Sequence, residues 1–415
     1  MFGRNILLAA AAISMARADD DDTCSTTLNV TSQSDLDSIS NCEMFKASIN
    51  IGGNSSVLTL NGVKNITGSL TINEAQDLNS FSAPDLETID DSLDLEVLTV
   101  LDTLSMPKLE NLGAIKLVTL PALEELQFNT GVENCRDILI SDTSLKSLDG
   151  LDLSSVDTFE INNNKNIDDI TVDATQISKV LDISYNADKV NVSLPNLKWV
   201  NNATFRYCSS VEMDSLEKVN NTLSFINNTL YSLEFANLSN VGSLTLSSNS
   251  ELRNISFPNL TDVNGGLVVA NNSHLHKIYG FPNVEKVKGA IEFEGNLSTA
   301  SLPKLEEVDG GVYIDSDAVF NCSTFDKAHK NGDIYGDRYV CQGASTTIST
   351  TLSSASKTAT ESSGSGGSAS ATATSSKGGD SSKSSSSKSK NGAVSLSGTS
   401  TGIMGVVFAA LLNFL

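Results

Sequence analysis

The sequence predicts an all-β solenoid, a chain wound into about 11 parallel coils with disulfide-capped ends and a disordered Ser/Thr-rich stalk behind them. Three observations predict it. An internal repeat recurs at about 19–24 residues. Each repeat opens on an alternating x-Leu-x-Leu strand, which sends one set of side chains inward and the other outward. Cysteines stand in pairs at the two ends of the repeated region: Cys24 and Cys42, then Cys322 and Cys341.

The chain begins MFGRNILLAAAAISMARADDDD. Arg4, an apolar run from Ile6 to Ile13, and the small-x-small triplet Ala16-Arg17-Ala18 before four aspartates form a secretory signal. Residues 1–18 are therefore expected to be removed. Secretion agrees with a net charge of −23, which argues against nucleic acid as a partner. Asn-x-Ser/Thr acceptors are dense, 13 in all: Asn29, Asn54, Asn65, Asn191, Asn202, Asn220, Asn227, Asn237, Asn254, Asn259, Asn271, Asn296 and Asn321. On a secreted chain they predict N-glycosylation.

The solenoid is expected over 19–343. Three stretches share its frame: GSLTINEAQDLNSFSAPDLETID, DSLDLEVLTVLDTLSMPKLENLG and GSLTLSSNSELRNISFPNLTDVN. The inward strand pairs are Leu70/Ile72, Leu93/Leu95 and Leu244/Leu246. Pro84, Pro107 and Pro258 each follow the second strand residue by 12 positions. A proline suits a coil corner because it fixes φ and donates no hydrogen bond. Weaker copies begin near Ile138, Phe159, Leu181, Phe205, Leu223, Leu267, Ile291 and Val312. Residues 113–136 fit no phase. Nothing suggests a helix per unit, and the leucine-rich-repeat signature L-x-x-L-x-L-x-x-N is only partly met.

Coils need caps, because an end coil would otherwise expose the shared interior. The spacings of Cys24 to Cys42 and of Cys322 to Cys341 suit local disulfides. Cys135 and Cys208 fall about three coils apart, roughly 15 Å at ~4.8 Å per coil. That is beyond the ~7 Å Cα limit of a disulfide, so no bond is expected between them.

From 344 to 391 Ser, Thr, Ala, Gly and Lys dominate. Such a stretch buries too little apolar surface to offset its ordering entropy and reads as a disordered, O-glycosylated stalk. The small triplet Asn391-Gly392-Ala393, a polar spacer and a terminal run from Ile403 to Leu415 then have the layout of a glycosylphosphatidylinositol (GPI) signal. Asn391 is the expected lipid-bearing residue and 392–415 the removed propeptide. The terminal run is short for a membrane-spanning helix, which needs roughly 20 apolar residues.

Signal peptide, Cys-bracketed start, GSLTI…F…P-x-L-x-x-I coils, Ser-rich stalk and GPI signal together resemble the fungal GPI-anchored cell-wall proteins with receptor L-domain-like repeats, the extracellular-mutant/sporulation-specific family. The resemblance covers essentially the whole chain. It implies a right-handed, L-domain-like β-helix at the outer face of the plasma membrane or in the wall, with a role in wall integrity and morphogenesis. It carries no catalytic motif. The irregular 113–136 stretch leaves open one solenoid or two L-domain-like halves meeting there.

Chemistry-bearing constellations are sparse. His274 and His276 form a His-x-His pair without an acid or Cys at ligand spacing, so no metal is expected, and no cofactor fingerprint occurs. Glu124-Glu125, Asp168-Asp169 and Glu306-Glu307 could mimic a glycosidase pair. With 50 Asp and Glu in the chain, however, such pairs arise freely on a solvated surface. Trp199 reads as a packing residue.

The stronger candidate is the outward ladder, one residue per coil: Thr71, Asp94, Leu139, Glu160, Asp182, Arg206, Ser224, Thr245, Val268, Glu292 and Tyr313. No glycosylation acceptor occurs between 68 and 190. The sequence thus points to a non-enzymatic surface glycoprotein. It would be held to the membrane by a GPI lipid and would present a rigid binding rod to cell-wall polysaccharide or wall proteins. The alternatives are a receptor or adhesin with a specific ligand and, behind it, a wall-glucan remodelling enzyme.

Overall fold

The computed structural model describes residues 23–344. The expected signal peptide, the stalk beyond Ala344, the anchor propeptide and Asn391 lie outside the described residues. Within them the chain is a parallel β-solenoid of about 13 turns. Its first ladder of strands runs from Leu28–Val30 to Tyr339–Gly343, each strand pairing in parallel with the corresponding strand of the next coil.

The sequence undercounted the coils for local reasons. Leu28–Val30 and Tyr339–Gly343 are strands of the ladder that lie at the disulfide-closed ends, and the short strand Ile49–Ile51 follows the first cap. The stretch that resisted phasing is an ordinary coil whose strand, Asn111–Leu120, pairs on both sides. Its proline, Pro121, stands only four positions after the second inward residue, Leu117, instead of 12. Gly113 also sits where the register shifts, and a Cβ there would lie 2.1 Å from the carbonyl oxygen of Asp91. The ladder is continuous through this region, so residues 113–136 do not divide the solenoid.

Two further ladders run beside the first, one of them in separate pieces. One stacks Ile66 on Ile89 and Leu112, and continues as Val200, Val219, Val241, Val263, Val287 and Val308. The other is interrupted; it holds Leu58, Phe81 and Leu104, then Ile170 with Val192, then Leu233 with Ile255. All three point the same apolar set inward. Leu70, Ile72, Leu93, Leu95, Leu244 and Leu246 are each 0% exposed, and burying one such side chain contributes about 1.5–3 kcal/mol. Between coils the larger groups stack in register: Phe205 on Phe225, Phe235 on Phe257 and Phe257 on Phe281, each with 5.2 Å between ring centroids.

The corners follow from residue chemistry. Pro84, Pro107 and Pro258 each occupy the second position of a turn closed by a backbone bond, from Leu86 to Ala83, Leu109 to Met106 and Leu260 to Phe257. Proline's fixed φ is suited to that position. Just after the first ladder the chain turns through a left-handed residue in nearly every coil, from Glu74 (φ 52°) to Asn271 (φ 57°). Asn and Gly adopt that region most cheaply.

One residue further on lies a buried asparagine ladder: Asn164, Asn186, Asn228, Asn249 and Asn272. Each side-chain oxygen accepts a backbone N–H of the preceding coil, at 2.8–3.1 Å. Each side-chain amide donates to a strand carbonyl of that coil, at 2.8–3.0 Å. Cys208 takes the rung between Asn186 and Asn228, a buried thiol in an otherwise amide column.

Disulfides close both ends, Cys24–Cys42 with a Cα separation of 5.7 Å and Cys322–Cys341 with 5.9 Å. Cys135 and Cys208 are free and buried. Each cap contains a short helix that the strand pattern did not foretell. Gln33–Asp37 is started by a capping box between Ser32 and Asp35. Ser323–Asn331 ends at Gly332 in the left-handed region and buries Phe325 edge-on against Phe293.

Candidate functional site

The outward residues of the first ladder form one continuous rung line. The pairings run Thr71, Asp94, Lys116, Leu139, Glu160, Asp182, Thr204, Ser224, Thr245, Val268, Glu292 and Tyr313. Ten of the 11 residues expected on this line stand on it. Arg206 does not: Phe205 pairs with Ile183 and Phe225, so it is the second inward residue of its coil and Ala203 is the first. Thr204 holds the rung and Arg206 lies two residues along, beside Ser184. Ala203 is small enough to have been passed over as a core position. Lys116, in the coil that could not be phased, is the rung the sequence missed.

These two cations change the character of the face. Lys116 sits between Asp94, at 3.9 Å, and Glu96, which it contacts directly. Arg206 reaches Asp182 at 3.3 Å and also donates to Ser184 Oγ. Of the ladder acids Asp94, Glu160 and Asp182, the first and last are therefore paired across coils. Glu160 is not. Burial, and then the neighbouring Asp182, push its carboxyl above the usual glutamate range. Asp182 is also raised by burial, against the opposing pull of Ser184 and Arg206. Around them the face is polar and neutral; Ser141 Oγ, for example, donates to Asn162 at 2.6 Å. At the far end Glu294 is raised by burial and by Glu292 and Asp315, and the Arg338 guanidinium lies 4.6 Å over the Tyr313 ring.

The other candidates are scattered. His274 and His276 bond through Nδ1 to the carbonyls of Ser250 and Asn296 on neighbouring coils. His329 stacks on Tyr339 with ring centroids 4.3 Å apart. The carboxylate pairs are tied into surface bonds between coils: Glu124 to Lys146, Asp169 to Asn191 and Glu307 to Lys286. Trp199 Nε1 donates to Asn220 at 3.2 Å. Among the described residues, no group of three or more His, Cys, Asp or Glu stands together as metal ligands would.

All 13 glycosylation acceptors fall within the described residues, and none is buried. On the rung line itself the coils from Thr71 to Tyr313 carry no acceptor. Asn237 and Asn259 occupy turn positions and donate Nδ2 to carbonyls of the preceding coil, at 2.7 Å each. Asn227 and Asn271 occupy the left-handed corner.

No family model matches the chain, and no solved structure matches it. Curated proteins do. The chain is 36% identical over 341 residues to "Protein ecm33" of Aspergillus fumigatus, covering 82% of this chain and 85% of that protein. It is 36% identical over 328 residues to "Cell wall mannoprotein PST1" of Saccharomyces cerevisiae, covering 78% and 73%. It is 34% identical over 289 residues to "Sporulation-specific protein 2" of the same yeast, covering 68% and 57%. None of these relatives is named as an enzyme. At such identity and coverage, the chain belongs to the Ecm33 and sporulation-specific family of fungal cell-wall and cell-surface proteins.

Proposed function

We propose that the protein is a non-enzymatic, GPI-anchored surface glycoprotein that supports cell-wall organisation by holding a rigid solenoid on a glycosylated stalk. In this reading 1–18 is the signal peptide, 19–343 the solenoid and 344–391 the stalk. Residues 392–415 are exchanged for a lipid on Asn391, and the 13 acceptors carry N-glycans. The working surface is the outward ladder over the coils between 68 and 190, which contacts wall polymer. The observation that carries this is the unbroken rung line in a region without a single glycosylation acceptor, since an N-glycan would screen contact wherever it stood. Cross-coil pairing of Asp94 with Lys116 and Asp182 with Arg206 reduces the negative charge of this hydrogen-bonding face. That favours a neutral polysaccharide over a basic protein partner.

Two matched glycan insertions test the surface. Asp142 and Ser248 both sit in the left-handed corner column, at φ 56° and 59°. Asp142→Asn creates Asn-Thr-Ser and Ser248→Asn creates Asn-Asn-Ser, so each gains an acceptor in a backbone conformation that asparagine favours. With both new sites occupied, the first is expected to lose rescue of a wall-stress defect and the second to keep it. Equal rescue sinks the surface assignment. The anchor is tested separately by release of surface protein with phosphatidylinositol-specific phospholipase beside glucanase. Replacing Asn391, Gly392 and Ala393 by bulky residues should abolish release by either enzyme.

A further inference from the structure

We propose that the exposed pair Tyr185 and Tyr207 is a dock for the N-linked glycan of Asn227, holding that sugar flat against the solenoid. The inference rests on Asn227 being glycosylated. The three residues take the same corner position on successive coils: Ser184 pairs with Arg206 and Arg206 with Ile226, so the residues that follow are neighbours. All three share one backbone conformation, with φ of 58°, 60° and 56°. Their side chains therefore leave the corner in parallel, about 4.8 Å apart per coil. The two rings lie 4.8 Å apart at a tilt of 38°, and stay 48% and 43% exposed.

Val97 and Thr119 bear the same backbone cost, so strain does not carry the proposal. What singles out the tyrosines is adjacency to an acceptor. A sugar on Asn227 Nδ2 begins one coil, about 4.8 Å, from the Tyr207 corner. The C–H face of its pyranose can lie against that ring, which otherwise leaves apolar area in water. A tethered sugar also occupies the dock at an effective concentration that free saccharide cannot match.

The same column holds an internal control. Asn271 is an acceptor in the same conformation, but its corner neighbours are Ser248 and Gly295. The full chain, produced in a yeast host, is treated while folded with an endoglycosidase that cuts between the two core N-acetylglucosamines, and release is followed by peptide mass spectrometry. Asn227 should be released about five-fold more slowly than Asn271, the ratio expected of one stacking contact. Tyr207→Ala should erase the difference, while Tyr207→Phe retains it. An unoccupied Asn227 overturns the glycosylation reading and the dock together. An occupied Asn227 that is released as fast as Asn271, or whose release ignores Tyr207→Ala, overturns the dock alone.

Discussion

Asn228 donates its backbone N–H to the side-chain oxygen of Asn249, one coil away, at 3.0 Å, and its side-chain amide donates to the same oxygen at 2.9 Å. Asn249 repeats both gestures toward Asn272. Each amide thus satisfies groups on two coils inside a dry interior, where an orphaned donor or acceptor costs about 1–3 kcal/mol. Asn249→Ala should lower unfolding free energy by roughly 2–4 kcal/mol, measured by chemical denaturation. A loss no larger than that of an exposed Asn→Ala change, such as Asn73→Ala, would show that the ladder is not what joins the coils.

The in/out phase predicts a sharp contrast between neighbours. Leu244 is fully buried and Thr245 faces outward on the rung line. Leu244→Asp buries an unpaired carboxylate, at a cost of roughly 3–5 kcal/mol, and secretion should collapse. Thr245→Asp should be secreted normally. Equal secretion of the two would invert the face assignment.

Burial pushes the Cys135 and Cys208 thiols up to about 12, leaving almost no thiolate at neutral pH. The folded protein should be inert to a thiol reagent at pH 8. After denaturation without reductant, two thiols per chain should react, since the other four cysteines are bonded. Rapid labelling of the native chain would mean that the coils around these residues open readily.

Glu160 predicts a pH dependence. Its carboxyl is raised by burial and then by Asp182, so the folded chain binds that proton more tightly than the unfolded chain. The associated stability is complete below the unfolded value of about 4.3 and is lost as pH rises through the higher folded value. Glu160→Gln cannot ionise. It should melt at a higher temperature than the parent at pH 7 and at the same temperature at pH 4. An identical difference at both pH values would assign the effect to packing instead.

Much of this was legible because the fold repeats itself. Alternating Leu and Ile gave the inward set, and prolines marked the corners where they stood 12 residues past the strand. The failures have specific causes. Ala203 carries too little apolar weight to register as a core residue, which moved Arg206 onto the wrong rung. Pro121 breaks the spacing, which hid Lys116 and with it the pairing of Asp94. The asparagine ladder was present as the recurring L-x-L-x-x-N tail of the strand, as in Leu244-Thr245-Leu246 leading to Asn249. Discounting the full leucine-rich-repeat signature discarded that half of it. The cap helices leave little trace because each is too short to show a clear apolar period.

The Cys322–Cys341 bond also sets the path that tension takes. A pull on residue 344 first meets the strand Tyr339–Gly343, whose hydrogen bonds to Val312–Ser316 would open one after another like a zip. At Cys341 the load crosses the sulfur bridge to Cys322. The helix Ser323–Asn331 and the rest of the enclosed segment are shunted out of the line of force. The bonds beyond Cys341 then cannot be peeled from that end. Under stretch, the loop that the disulfide closes bears no load, which passes through Cys322 to the coil of Val312–Ser316.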